Sequence, residues 1–128
     1  MAYRKINSAD APTIEKEGVN MKIYGPLNGQ MACVRQETTT GHVSEFYNKV
    51  SSFIYIILEG HGVYVLDGEP IEVKGGDVLV IEPNTKIFYV GNLKQVLITN
   101  PAWKPENEVI VRTVPEGEFK ALRAKHNL

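Results

Sequence analysis

Between Phe53 and Asn92 the chain reads FIYIILEGHGVYVLDGEPIEVKGGDVLVIEPNTKIFYVGN, short apolar runs rich in Val, Ile, Tyr and Phe cut by turn residues. The cuts fall at Glu59-Gly60-His61-Gly62, Asp67-Gly68, Gly75-Gly76-Asp77, Glu82-Pro83-Asn84 and Gly91-Asn92. Runs of this length and composition at this spacing predict antiparallel strands closing into a sandwich or barrel. Asp67-Gly68 is the sharpest local signal. A two-residue type I′ turn needs positive φ at both central positions, and Asp followed by Gly tolerates it.

The flanks extend the pattern. Residues 1–18 mix Lys, Asp, Glu, Ser and Pro12 with little periodicity and predict an irregular arm holding one short strand. A homodimer is expected from the free sheet edges, and such an arm is a candidate for lying across the partner's sheet. Val19 to Tyr24 and Met31 to Gln36 read as strands joined by a turn at Gly25-Pro26-Leu27-Asn28-Gly29, and His42 to Tyr47 opens another after Thr38-Thr39-Thr40-Gly41. Gln95 to Thr99 and Val109 to Val114 are further extended segments. Glu116 to Lys125 is a short helix candidate with Phe119 and Leu122 on one face. One domain of 128 residues is expected, with an arm at 1–18, a barrel over 19–114 and a tail or short helix at 115–128.

The order of residues resembles the cupin family. FIYIILEGHG, Phe53 to Gly62, lies on a first motif that reads like EVYYVLEGEG, and Gly76 to Phe88 lies on a second that reads like GDVVVIPPGTPHRF. The resemblance spans roughly residues 31 to 101 and implies an all-β fold, a double-stranded β-helix or jelly-roll barrel. Metal-binding cupins use two His and a Glu of the first motif and a His of the second, a donor set suited to Fe, Mn, Ni or Zn. Here Phe53 stands at the Glu position and Ile87 at the last His, while the His pair falls on Phe46 and Asn48 or on Tyr47 and Lys49. With three histidines in the chain and a single cysteine, Cys33, no metal and no cofactor are expected.

Alternation along strands selects a candidate pocket. If Phe53 and Ile87 point inward, so do Tyr55, Ile57, Thr85 and Tyr89. On Met31 to Gln36, Cys33 and Arg35 share one face and Ala32, Val34 and Gln36 the other, with the inner face left open. The candidate ligand-binding residues are Arg35, Tyr47, Lys49, Tyr55 and Tyr89, and the candidate catalytic groups are His42, Tyr47 and Tyr89. His42 is the one plausible general base by residue type. Each also has a structural reading: the tyrosines as strand formers that fill a small barrel, Arg35 and Lys49 as solvated cations, and His42 as a hydrogen-bonded imidazole. Cys33, flanked by Ala32 and Val34, reads as a buried inert thiol, and Trp103 as a cap on the barrel mouth or a packing residue on a partner.

A formal charge of −1 with mixed signs gives no reason to expect nucleic acid or membrane as a partner. No signal peptide or long apolar run appears, so cytoplasmic residence is the default. Three functions remain open. The first, slightly preferred because no acid/base pair is found at matched positions, is a metal-free module binding a sugar-like small molecule. The second is a metal-independent sugar epimerase or isomerase acting by proton abstraction. The third is a structural homodimer with a filled barrel.

Overall fold

The computed structural model describes residues 2–128. Nine strands carry the fold: β1 (Thr13–Lys16), β2 (Val19–Pro26), β3 (Ala32–Thr38), β4 (Gly41–Asn48), β5 (Ser52–Leu66), β6 (Glu69–Lys74), β7 (Val78–Ile81), β8 (Ile87–Asn100) and β9 (Glu108–Thr113). One helix, α1 (Glu116–His126), follows them. The all-β barrel expected from the sequence is what forms.

β5 and β8 are the spine. They pair antiparallel from Ser52↔Asn100 to Leu66↔Ile87. On its other edge β5 takes β7 along one half and β6 along the other, and β8 takes β3 and β4 in the same way. β2 and β1 extend the sheet beyond β3, and β9 extends it beyond β4. All pairings are antiparallel, and the sheet curls on itself so that alternate side chains of each strand face inward.

Two of the segments read as turns are instead bends inside long strands. Glu59-Gly60-His61-Gly62 lies within β5, where the register with β8 shifts between Ile57 and Glu59. Gly60 has φ 89°, and a Cβ there would sit 1.9 Å from the Asn92 carbonyl oxygen. Gly91, facing Gly62, is equally tight against that strand. The glycines let two backbones touch at a bulge, a use that composition does not distinguish from a turn. Gln95 to Thr99 is accordingly the continuation of β8. At Asp67-Gly68 the expected hairpin forms, with φ 51° and 83°, and Asp67 Oδ1 accepts the Lys86 backbone N–H at 2.9 Å.

The one short strand expected within residues 1–18 is β1. It pairs with β2 of its own chain, Thr13↔Lys22 to Lys16↔Val19, because a two-residue turn at Glu17-Gly18 folds it back.

The interior divides into two clusters. One holds Phe46, Phe53, Tyr55, Ile57, Tyr64 and Tyr89 with aliphatic neighbours. The other holds Val63, Val65, Phe88, Val90 and Val114 with Phe119 of α1. α1 thus docks Phe119, with Leu122 packed beside it, on the outside of the barrel, its acidic first turn (Glu116, Glu118) and basic last turn (Arg123, Lys125, His126) complementing the helix dipole. No helix among the described residues is long and apolar enough to cross a membrane.

Candidate functional site

The barrel is not filled. A cavity of about 260 Å³ opens between β1–β3 on one side and β4, β5, β8 and β9 on the other. Its floor is buried and mixed: His42, Gln36, Tyr55, Phe46, Phe53 and Thr99. Its rim is more exposed and comes from the chain ends: Ile14, Lys16, Pro26, Trp103 and Glu108. This size suits one small molecule.

His42 enters from the start of β4 and is 4% exposed. Its Nδ1 lies 2.7 Å from the Ser44 carbonyl oxygen. A carbonyl only accepts, so Nδ1 carries the proton and Nε2 of the neutral ring is a free lone pair. Nε2 makes no bond within the chain and is not enclosed, so it faces the cavity. The ring is wedged between Phe46 (centroids 4.7 Å) and Tyr89 (5.7 Å). Burial pulls its pKa below the ordinary 6.5, opposed by the Ser44 bond and the carboxylates of Glu17 and Glu108.

Beside it runs a buried hydrogen-bond chain of two tyrosines and two glutamines. Tyr64 Oη donates to Gln95 Oε1 (2.7 Å), Gln95 Nε2 donates to Gln36 Oε1 (2.8 Å), and Tyr89 Oη donates to the same oxygen (3.2 Å). With both donors on Gln36 Oε1, the Gln36 N–H₂ is left without a bond within the chain, on a residue that lines the cavity. Tyr64 and Tyr89 stack with ring centroids 4.5 Å apart, and Tyr55 packs on both. Burial pushes the phenols of Tyr55, Tyr64 and Tyr89 above the usual tyrosine range. They stay protonated and can act as donors, which leaves His42 as the group of this floor with a free lone pair on a neutral ring.

At the rim, Lys16 Nζ and Glu108 Oε2 are 2.7 Å apart, Trp103 Nε1 donates to Glu108 Oε1 at 3.1 Å, and Lys16 Nζ sits 4.8 Å from the Trp103 ring centre. This ties β1 to β9. Trp103 therefore caps the mouth, one of the two roles its position suggested.

Of the sequence candidates, the structure brings His42 and Tyr55 to the cavity and sets Tyr89 directly behind it. Arg35, Tyr47 and Lys49 are not brought there. Ala32, Val34 and Gln36 form the inner face of β3, so Arg35 points out, exposed and 3.9 Å from Glu37. Tyr47 alternates away from inward Phe46, and Lys49 follows the end of β4 in solvent. Thr85 lies in the turn before β8, half-buried, and does not line the cavity. Cys33 is half-buried and its thiol is pushed up by burial. Sequence reasoning missed Gln36, Lys16 and Glu108. Gln36 was on the unassigned face of β3, and the other two come from segments that look irregular.

Phe46, Phe53 and Ile87, at positions where metal-binding cupins carry ligands, pack in one apolar cluster. They offer no donor atom, and among the described residues no three His, Cys, Asp or Glu side chains converge on a point. The residues present do not fit a metal at that place.

Comparison with known proteins adds three findings. Residues 29–90 match the AraC-like ligand binding domain. The Streptomyces protein Pac13, described as a unique nucleoside dehydratase, superposes with TM-score 0.87 at 31% identity over 91% of this chain and 98% of its own. Pac13 is also known with uridine as H42Q, Y55F and Y89F variants, at 30% identity to this chain. An RmlC-like cupin from Shewanella frigidimarina superposes at TM-score 0.62 and 16% identity, covering 78% of this chain and 91% of that one, which speaks to the fold alone. An uncharacterised protein of Methanocaldococcus jannaschii is 43% identical over 65 residues, and the match spans about half of each protein, 48% of this chain and 52% of the relative.

Proposed function

The chain belongs to the cupin family, and from that membership we propose that its barrel takes a small sugar derivative of the nucleoside type and removes water from it, with His42 as the base and no metal. The observation that carries this reading is the bond from His42 Nδ1 to the Ser44 carbonyl, which leaves Nε2 as a lone pair in a cavity that Tyr55 also lines. Support comes from Pac13: the residue types altered in its uridine-bound variants stand at the same numbers here, His42, Tyr55 and Tyr89.

The chemistry follows from the donors. A sugar C–H is acidic enough for an imidazole only beside a carbonyl, so the substrate class carries a carbonyl next to the carbon that loses its proton and a hydroxyl on the carbon beyond. His42 Nε2 takes the proton, and the C–H electron pair moves onto the carbonyl oxygen. The Tyr55 hydroxyl and the Gln36 N–H₂ are the donors that stabilise the oxyanion in a dry pocket. Its collapse forms the C=C bond and expels the β-hydroxyl, which leaves as water with the proton held by His42. Arg35 and Lys49 have no part in this scheme, and Tyr89 acts through its contacts with Gln36 and His42.

The match to an AraC-like ligand binding domain favours a second reading, in which the same pocket binds its ligand and does no chemistry. Calorimetry with uridine, together with turnover of a uridine derivative oxidised to a sugar carbonyl, separates the two. For a dehydratase, the wild type binds uridine and generates the conjugated carbonyl absorbance. His42→Gln then binds uridine and loses about 10²- to 10⁴-fold in rate. Binding without turnover in the wild type supports the module, and neither binding nor turnover rejects both.

A further inference from the structure

A buried histidine base ordinarily takes its orienting bond from a carboxylate, whereas His42 takes it from a backbone carbonyl. We propose that Glu17 is the positioning carboxylate of this histidine, acting through Ser44. The inference rests on His42 being the base, as proposed above.

Three observations converge. Glu17-Gly18 is the turn between β1 and β2, with φ 55° and 90°. Positive φ at both positions favours Asn or Asp before Gly. Glutamate has no short local bond to offset the left-handed conformation, so turn chemistry does not explain its presence. The turn is also held against β4. Glu17 O accepts the Val43 N–H at 2.9 Å, Gly18 O accepts the Thr38 hydroxyl at 2.9 Å, and a Cβ on Gly18 would stand 2.7 Å from Gly41 O. Finally, Ser44, 2% exposed, donates its hydroxyl to Glu17 Oε2 while its carbonyl accepts from His42 Nδ1. Ser44 thus holds both groups, the carboxylate through its hydroxyl and the imidazole through its backbone carbonyl.

The charges around His42 make Glu17 the one that counts. Lys16 of β1 and Glu108 of β9 face it but are paired with each other at 2.7 Å. Tyr55 of β5 and Tyr89 of β8 are neutral. Among the described residues no cation forms an ion pair with Glu17, whose field on the imidazole is opposed in sign by that of Lys16, itself paired with Glu108. The Glu17 field favours the imidazolium that forms when Nε2 takes a proton, and so counters the burial of the ring.

The test is an NMR titration of the His42 imidazole in ligand-free wild type, Glu17→Gln and Glu17→Asn. Glutamine keeps an oxygen for Ser44 and removes the charge. Asparagine suits the turn better than glutamate and guards against loss of fold. Both variants are expected to titrate about 0.5 to 1 unit lower than wild type, from a charge at this remove, with thermal midpoints kept within a few degrees. In turnover assays the acid limb of the pH profile should move down by the same amount. If Glu17 is only a turn residue, the variants change the midpoint while the three His42 curves coincide. Coincident curves, including three flat ones, overturn the proposal. Because the titration needs no substrate, a shifted curve in a protein that eliminates no water would leave the Glu17 coupling standing and remove the dehydratase reading alone.

Discussion

His42 is held neutral by its surroundings, and that has a sign. Its pKa is lower in the folded chain than the 6.5 of a free imidazole, with burial the main cause. Between those two values the unfolded chain binds more protons than the folded one, so stability from this group is present above pH 6.5 and is lost as pH falls below it. We expect the denaturation midpoint of wild type to drop more steeply below pH 6.5 than that of His42→Gln. Parallel curves would mean the imidazole is solvated. A second expectation concerns Tyr64, which touches no part of the cavity. Tyr64→Phe leaves buried Gln95 Oε1 without its donor, and urea denaturation should show a loss of about 1 to 3 kcal/mol. At this scale the sequence spoke through residue type: His42 was legible as the one imidazole able to act as a base, and Tyr55 as an inward aromatic. Gln36 was not. Facing is decided by which side of β3 meets the core, and a strand with Cys33 and Val34 on opposite faces does not announce that. Nor was the carbonyl of Ser44, since a backbone acceptor has no signature in a sequence.

Among the elements, the hairpin at Asp67-Gly68 and the extent of α1 were readable because local chemistry sets them, positive φ in one case and an apolar pair one turn apart in the other. β5 and β8 were misread as shorter pieces for the opposite reason. Gly60 and Gly91 obey a long-range demand, the contact of two backbones. Gly60→Ala is therefore expected to cost at least about 3 kcal/mol, from an unfavourable φ together with a collision with the Asn92 carbonyl, as read by thermal denaturation. A change near zero would show that the bend relaxes. One short strand was expected within residues 1–18, but its place and its pairing with β2 were not legible, because they depend on a Glu-Gly turn that local preference does not favour.

Over the whole molecule the β5–β8 pair has strands bonded along both of its outer edges, whereas β1 hangs on one neighbour. Hydrogen exchange should reflect this. Amides of Ile54–Tyr64 and Tyr89–Thr99 that bond across this pair are expected to exchange only through global unfolding, and those of Thr13–Lys16 much sooner. Early exchange in the central pair would contradict the topology described.

The cavity also divides along the chain in a way that bears on its history. His42, Gln36, Phe46, Phe53 and Tyr55 fall inside residues 29–90, the span shared with a ligand-binding family, while Ile14, Lys16, Pro26, Trp103 and Glu108 fall outside it. Of the floor residues only Thr99 lies outside the shared span, so substitutions in the two flanking segments can reshape the mouth while His42, Gln36 and Tyr55 stay in place. Related proteins that keep the shared span can thus differ in what passes the doorway.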